Sequence, residues 1–308
     1  MHAILVENLT KRYGDKDVLK KIDLKVEEGE FYALMGPNGS GKTTIASIIA
    51  SVRSPTSGKI EIYGKKPEDA KDLMGYIPQK NFSSPTLTGK ENLQYFAGLL
   101  GYSESEAEKI VTELLHKVGL SEDANKRVSN YSGGMRKRLE VATILFPGVK
   151  LLILDEPTTG LDPSARRKFL GMIQELRNEK TTILLITHIG ADAELASRVC
   201  LIDEGIIIAE EEPDKLKDNS GLENVINIET TIKTENVASE LGDYSENRKV
   251  LETAVGYRIY SRDPEEATPN IVRALDAIGC KVMKIETEKP SLEDVFFKLT
   301  EKTVDEVG

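Results

Sequence analysis

Gly36-Pro37-Asn38-Gly39-Ser40-Gly41-Lys42-Thr43-Thr44 carries the spacing G-x-x-x-x-G-K-T. Phe31-Tyr32-Ala33-Leu34-Met35 before it is a short apolar run suited to a buried strand, and Thr43 through Ala50 after it reads as a helix. Strand, glycine-rich loop and helix in that order make a cradle for phosphate. Glycines at 36, 39 and 41 allow backbone angles closed to other residues and let amides approach an anion. The N–H groups of the loop then converge on phosphate, and the helix N-terminus adds partial positive charge. Lys42 is expected to reach the β and γ oxygens of a nucleotide, and the Thr43 hydroxyl to hold Mg²⁺. A glycine-rich turn with a chance Lys-Thr is the alternative, and it leaves the flanking strand and helix unexplained.

Working outward, Leu151-Leu152-Ile153-Leu154-Asp155-Glu156 is an apolar strand ending in two carboxylates. Such a run suits a parallel strand covered on both faces, and ligand chemistry in those sheets sits at the carboxyl ends of strands. Asp155 is expected to hold the metal through water, and Glu156 to polarise an attacking water. Adjacent acids alone would read as a solvated turn. Thr181 to Thr187 is a second β-rich run that delivers His188. On a neighbouring parallel strand His188 stands near a γ-phosphate, whereas a lone histidine elsewhere is more often structural. Gln79 follows Gly75-Tyr76-Ile77-Pro78, so its amide either faces the metal or lies on the surface. Tyr13, in Leu9-Thr10-Lys11-Arg12-Tyr13-Gly14, either stacks on adenine or packs with a polar tip. Tyr131-Ser132-Gly133-Gly134-Met135 precedes a basic helical stretch, Arg136 to Glu140. Small residues at a helix N-terminus form a further anion site. A flexible linker is the alternative, and the helical pattern that follows speaks against it.

In this order the motifs resemble those of an ABC-type ATPase, over roughly residues 3 to 215. Gly36 to Thr44 is similar to the Walker A loop, Gln79 to the Q-loop and Tyr131 to Met135 to the signature. Asp155 and Glu156 are similar to the end of Walker B, Gly160-Leu161-Asp162 to the D-loop, His188 to the switch histidine and Tyr13 to the adenine-stacking aromatic. The resemblance implies an ATPase that uses ATP and Mg²⁺. It also implies a head-to-tail dimer in which Ser132, Gly133 and Gly134 close over the ATP of a second cassette, with Asp162 at the interface. Two positions depart from the commonest signature, Tyr131 for Leu and Met135 for Gln. Met135 lacks the polar contact that Gln makes; that bears on a ribose contact across the dimer, not on phosphate binding through Ser132.

The whole chain sets bounds on these readings. Its 308 residues suggest about two domains. A net charge of −10 argues against a general nucleic-acid-binding surface, so no nucleic-acid partner is expected. Cys200 and Cys280 are far apart without metal-like spacing, as reduced thiols in a cytosol would be. The N-terminus lacks a signal-peptide layout. No apolar run approaches the ~18 residues of a membrane helix, so any transmembrane path must belong to another chain.

The fold expected is α/β: a P-loop ABC cassette over residues 1–218, with a helical subdomain over about 82–150, and a small C-terminal α+β domain over 222–308. Ser103-Glu104-Ser105-Glu106 fits a capping box ahead of a helix with Ile110, Val111, Leu114, Leu115 and Val118 on one face. Val199 to Ile208 reads as a hairpin turning at Glu204-Gly205. The charged, breaker-rich stretch from Glu210 to Gly221 is the expected boundary. Beyond it the pattern predicts a small βαβ-type domain closed by an amphipathic helix with a Ser291 cap. Pro290 to Phe296 is similar to the tails of ATPase subunits of ABC exporters whose permease is a separate chain.

The resulting expectation is a motor subunit on the cytoplasmic face of the membrane. It dimerises around two Mg·ATP, as a homodimer, and drives a separate permease, in the direction of export. The competing reading is a soluble ABC ATPase acting on ribosomes or DNA. Ribosome-acting members usually carry two cassettes in one chain and DNA-repair members a long coiled coil; this chain has one cassette and no such coil. An ATP-binding regulator without turnover is a third reading, and the intact Glu156 and His188 argue against it.

Overall fold

In the computed structural model, residues 1–178, 181–245 and 248–300 are described, and the described chain divides into two compact units at Pro213/Asp214. The expected end of the second domain, at residue 308, lies outside the described residues.

The first unit opens with β1 (His2–Tyr13) and β2 (Lys16–Glu27), an antiparallel ribbon to which β4 (Ser57–Ile62) adds on the β1 side. The polar ends of the ribbon stay paired while exposed. β3 (Phe31–Met35), β6 (Leu151–Asp155) and β7 (Thr182–Thr187) are buried at every residue. They join β5 (Met74–Ile77), β8 (Arg198–Asp203) and β9 (Ile206–Glu211) in a six-stranded sheet of order β5-β6-β7-β3-β8-β9. All pairs are parallel except β8–β9, the hairpin that turns at Glu204-Gly205. Continuous apolar strands fit because ribbon and helices cover both faces. Ile4, Val6, Leu24 and Ile62 of the ribbon share one core with Ile45, Ile48 and Ile49 of α1 (Lys42–Ile49) and with Leu34, Ile153 and Ile186 of the sheet.

Helices α2 (Gly89–Leu99), α3 (Glu104–Lys117) and α4 (Gly133–Ala142) fill the stretch expected to be helical. Capping boxes at Thr88/Glu91 and Ser103/Glu106 start α2 and α3. Gly89 is required at the head of α2: a Cβ there would lie 2.1 Å from the Tyr131 hydroxyl, which donates to the Asp123 carbonyl at 2.8 Å. The unusual Tyr131 is thus accommodated by an adjacent glycine. Asp162 precedes α5 (Pro163–Asn178), and His188 precedes the single turn α6 (Gly190–Ala193).

The second unit holds α7 (Pro213–Asn219), β10 (Asn224–Thr230), α8 (Glu235–Gly242), β11 (Val250–Glu252), β12 (Gly256–Ser261), α9 (Pro264–Ala277), β13 (Val282–Glu288) and α10 (Leu292–Thr300). Its sheet order is β11-β12-β10-β13 and every neighbouring pair is antiparallel. This refines the βαβ expectation: strands joined by α8 or α9 are separated by another strand, the ferredoxin-like split arrangement. Ile226, Ile228, Tyr257 and Ile259 form its core with Val237 and Leu241 of α8 and Ile271 and Leu275 of α9. Ser291 and Asp294 cap α10 reciprocally, and Asp294 also accepts from Arg258 at 2.7 Å and Tyr260 at 2.8 Å.

Candidate active site

β3 leads into the glycine loop at the carboxyl edge of the sheet, and α1 leaves it. Gly36 touches the neighbouring strand so closely that a Cβ would stand 2.0 Å from the Ile202 carbonyl oxygen. Gly41 caps α1 at φ 107°, in the left-handed region, where a side chain would be strained. The Ser40 carbonyl accepts from Gly205 N at 3.0 Å, and Ser40 Oγ is buried without a hydrogen-bond partner. Lys42 is only 4% exposed; its ammonium donates to the Gly36 and Pro37 carbonyls, both at 2.8 Å. Burial lowers its pKa, opposed by the charges of Glu156 and Asp155.

The other strand ends bring their groups to this lysine. Asp155 is fully buried and accepts from the Thr43 hydroxyl at 3.1 Å and the Tyr76 hydroxyl at 3.3 Å. Burial raises its carboxyl pKa, and the hydrogen bond from Thr43 holds it back. Glu156 follows at φ 49°, with its N–H donating to the Ile186 carbonyl of β7 at 2.9 Å. That turn sends the two acids apart. The Glu156 carboxylate accepts from Gln79 Nε2 at 2.8 Å and Thr159 Oγ1 at 3.4 Å. Lys42 Nζ stands 3.9 Å from it and His188 Nδ1 3.4 Å, the latter without hydrogen-bond alignment. Lys42, Thr43, Gln79, Asp155, Glu156 and His188, read from four separate stretches of sequence, therefore meet in one place.

The signature lies at a second place in the same unit. Ser132 caps α4 by accepting from Met135 N at 3.2 Å, leaving Gly133 and Gly134 as its first residues. Gly134 packs against Ala165 of α5 with no room for a Cβ, which would sit 2.7 Å from the Ala165 methyl. A cavity of about 280 Å³ is lined by Ser132, Gly134, Met135, Asp162, Ser164 and Lys168, among others. None of the glycine-loop residues lines it. Asp162 accepts from Ala165 N and Ser164 N, and those bonds hold its carboxyl below the usual range. Tyr13 ends β1, half exposed, with Lys11 Nζ 4.8 Å above its ring and Arg53 donating to its hydroxyl at 2.9 Å.

Several site neighbours escape sequence reasoning. Tyr76 and Thr159 contact the paired acids; Tyr76 stands one strand over from Asp155. Asp192, wholly buried just past His188, accepts from Arg166 of α5 and from Thr158. Only proximity to known motifs could have marked these residues.

The residues present fit a nucleotide and a hard cation. An orphan buried hydroxyl at Ser40, left-handed glycines at 39 and 41 and a desolvated lysine suit phosphate. Thr43 and Asp155 supply a hydroxyl and a carboxylate, the sparse oxygen set that Mg²⁺ accepts when phosphate and water complete its shell.

Comparison with known proteins agrees. Residues 19–159 match the family model described as ABC transporter, and residues 212–300 match the C-terminal domain of ATP-binding proteins of the DrrA1-3 type. The chain is 35% identical to the Nod factor export ATP-binding protein I of Rhizobium etli, over 97% of this chain and 94% of that protein. The chain belongs to the ABC transporter family. This ABC ATPase is also 33% identical to the daunorubicin resistance ATP-binding protein DrrA3 of Streptomyces coeruleorubidus, over 97% of this chain and 96% of that one. Among solved structures it is similar to the dimeric ATP-binding cassette MJ0796 in a post-hydrolysis state bound to ADP and Pi. The TM-score is 0.62 at 28% identity, covering 68% of this chain and 98% of that one. As an ABC ATPase the chain binds and hydrolyses ATP.

Proposed function

We propose that this ABC ATPase is the motor subunit of an exporter whose permease is a separate chain, working as a homodimer around two Mg·ATP. The observation that carries the reading is the convergence of Lys42, Gln79 and His188 on Glu156 beside a glycine loop. The match of residues 212–300 to the C-terminal domain of the DrrA1-3 type supports export, since relatives carrying export or resistance names align along the whole chain. Among the described residues no helix is long and apolar enough to cross a membrane. In this reading the chain acts peripherally, on the cytoplasmic face, through a membrane partner that meets the helical subdomain.

In this reading the loop from Gly36 to Thr44 wraps the phosphates, Pro37 and Asn38 shape it, and Tyr13 stacks on adenine. Thr43 and Asp155 would hold Mg²⁺, Asp155 through water, with Gln79 facing it; the ion supplies charge neutralisation for the β- and γ-phosphates. Glu156 orients the attacking water and draws on its proton. Lys42 and His188 stabilise charge on the γ-phosphoryl oxygens, with Ser132, Gly133 and Gly134 of a second copy completing the shell. Asp162 stands at that interface. Hydrolysis removes the link between the copies and they part. The first compact unit, up to Pro213, holds all of this, and the second is accessory in this reading.

The test is to isolate the tagged chain from detergent-solubilised membranes and identify what accompanies it. A stoichiometric integral membrane protein that raises ATP turnover is expected. Co-isolation of ribosomes or nucleic acid that stimulates turnover would favour the competing reading.

A further inference from the structure

Two charged side chains of α4 have no part in the roles above, yet Lys137 and Glu140 are 5% and 0% exposed. They stand three residues apart and so share one helix face. Lys137 Nζ lies 3.3 Å from Glu140 Oε2 and donates to the Gln79 carbonyl, also at 3.3 Å. Glu140 Oε1 accepts from Phe82 N at 3.1 Å, Ser83 N at 3.4 Å and Ser83 Oγ at 3.0 Å. Both charges are thus spent on one segment, residues 79–83, and most of their bonds go to its backbone.

Desolvating two charges is costly, and apolar side chains of similar size commonly serve stability as well or better. What an apolar pair cannot do is fix the register of a loop backbone against a helix. This loop carries Gln79, whose amide donates to Glu156 at 2.8 Å. The helix begins at Ser132, its cap. A rigid run of α4 therefore connects the signature to the loop that sets Gln79 on the candidate base.

We propose that Lys137 and Glu140 are positioning residues for ATP hydrolysis, clamping residues 79–83 to the signature helix so that Gln79 meets Glu156. The inference deepens the proposed function and rests on the roles given there to Gln79 and Glu156. Through the clamp, a displacement of Ser132 as a second cassette closes on it is carried to the Gln79 backbone. Water orientation in one site thereby depends on the signature of the same chain being engaged elsewhere.

The test is a double-mutant cycle in the full-length protein. Steady-state kcat and KM for Mg·ATP are measured for Gln79→Ala, Glu140→Ala and the double variant, with melting curves alongside. Misplacing a group near the reacting atoms costs about tenfold to a hundredfold. Each single variant should lose about that much kcat, with KM within about twofold of wild type. The double variant should be no slower than the slower single by more than about twofold, since residues acting as a unit are non-additive. Lys137→Met combined with Glu140→Met removes the clamp without stranding a buried charge, and replaces Glu140→Ala in the cycle if that variant does not fold. The Met pair should keep its melting temperature and still lose kcat. Wild-type turnover in the Met pair, or losses that multiply with Gln79→Ala, would overturn the positioning role and leave the site reading intact. Unchanged turnover in Gln79→Ala would instead overturn the role of Gln79 itself, and the inference with it.

Discussion

Lys42 shows how much a single residue concedes to the chemistry. Its ammonium is buried and its pKa lowered, yet it is held by two backbone carbonyls of its own loop and by the nearby Glu156. Lys42→Ala should keep the fold and remove most turnover, because the phosphates lose their nearest cation. Phosphate release together with circular dichroism checks this; near-normal turnover in a folded variant would refute the loop assignment. Cys200 makes a different kind of prediction. It is fully buried, and desolvation pushes its thiol pKa up to about 12. In a Cys280→Ser variant, Cys200 should resist a thiol-specific reagent at pH 8 until denaturant is added, since the thiolate is the reactive species. Rapid labelling of the native protein would contradict its burial. At this scale the glycine loop and the paired acids were legible because spacing and a strand end mark them. Tyr76 and Thr159 were not, because their contacts with Asp155 and Glu156 arise from strand pairing and a local turn without a recurring spacing.

Elements were legible where sequence periodicity is local. The Ser103 box starts α3 as expected; Thr88 and Glu91, not singled out from the sequence, repeat the same three-residue interval at the head of α2. Thr88→Ala should cost about 1 kcal/mol of stability, as lost N-caps do, and thermal or denaturant melting measures it. The box is also pH-dependent. A backbone hydrogen bond from Thr88 holds the Glu91 carboxyl below its ordinary 4.5, and a side-chain bond from Ser103 does the same for Glu106. Lowered acids stabilise the fold above pH 4.5, and that contribution is lost as pH falls through the lowered values. The gap between wild type and Glu91→Ala should therefore narrow in acid; a gap that widens there would contradict the reciprocal cap. Partner choice between strands was less legible. An alternating strand states which face is buried and not which strand lies beside it, so the second unit read as βαβ although its neighbours are antiparallel.

At the scale of the whole molecule, every nucleotide motif lies before residue 189, within the first compact unit. A truncation near Asn219 should still bind Mg·ATP, measured by calorimetry on a sample whose circular dichroism shows it folded. Loss of binding in that sample would mean the second unit takes part in the site. Ser132 and Asp162, by contrast, line a cavity that none of the glycine-loop residues lines, so their proposed work requires another copy. The most direct measurement of that claim is the mass of the protein in solution with Mg·ATP, by size-exclusion chromatography with light scattering. Glu156→Gln keeps the shape of the side chain and slows hydrolysis, so ATP stays in place and the variant should shift from monomer to dimer. Adding Ser132→Arg should abolish the shift by crowding the anion site at the head of α4. A double variant that dimerises as readily as Glu156→Gln alone would contradict the head-to-tail arrangement.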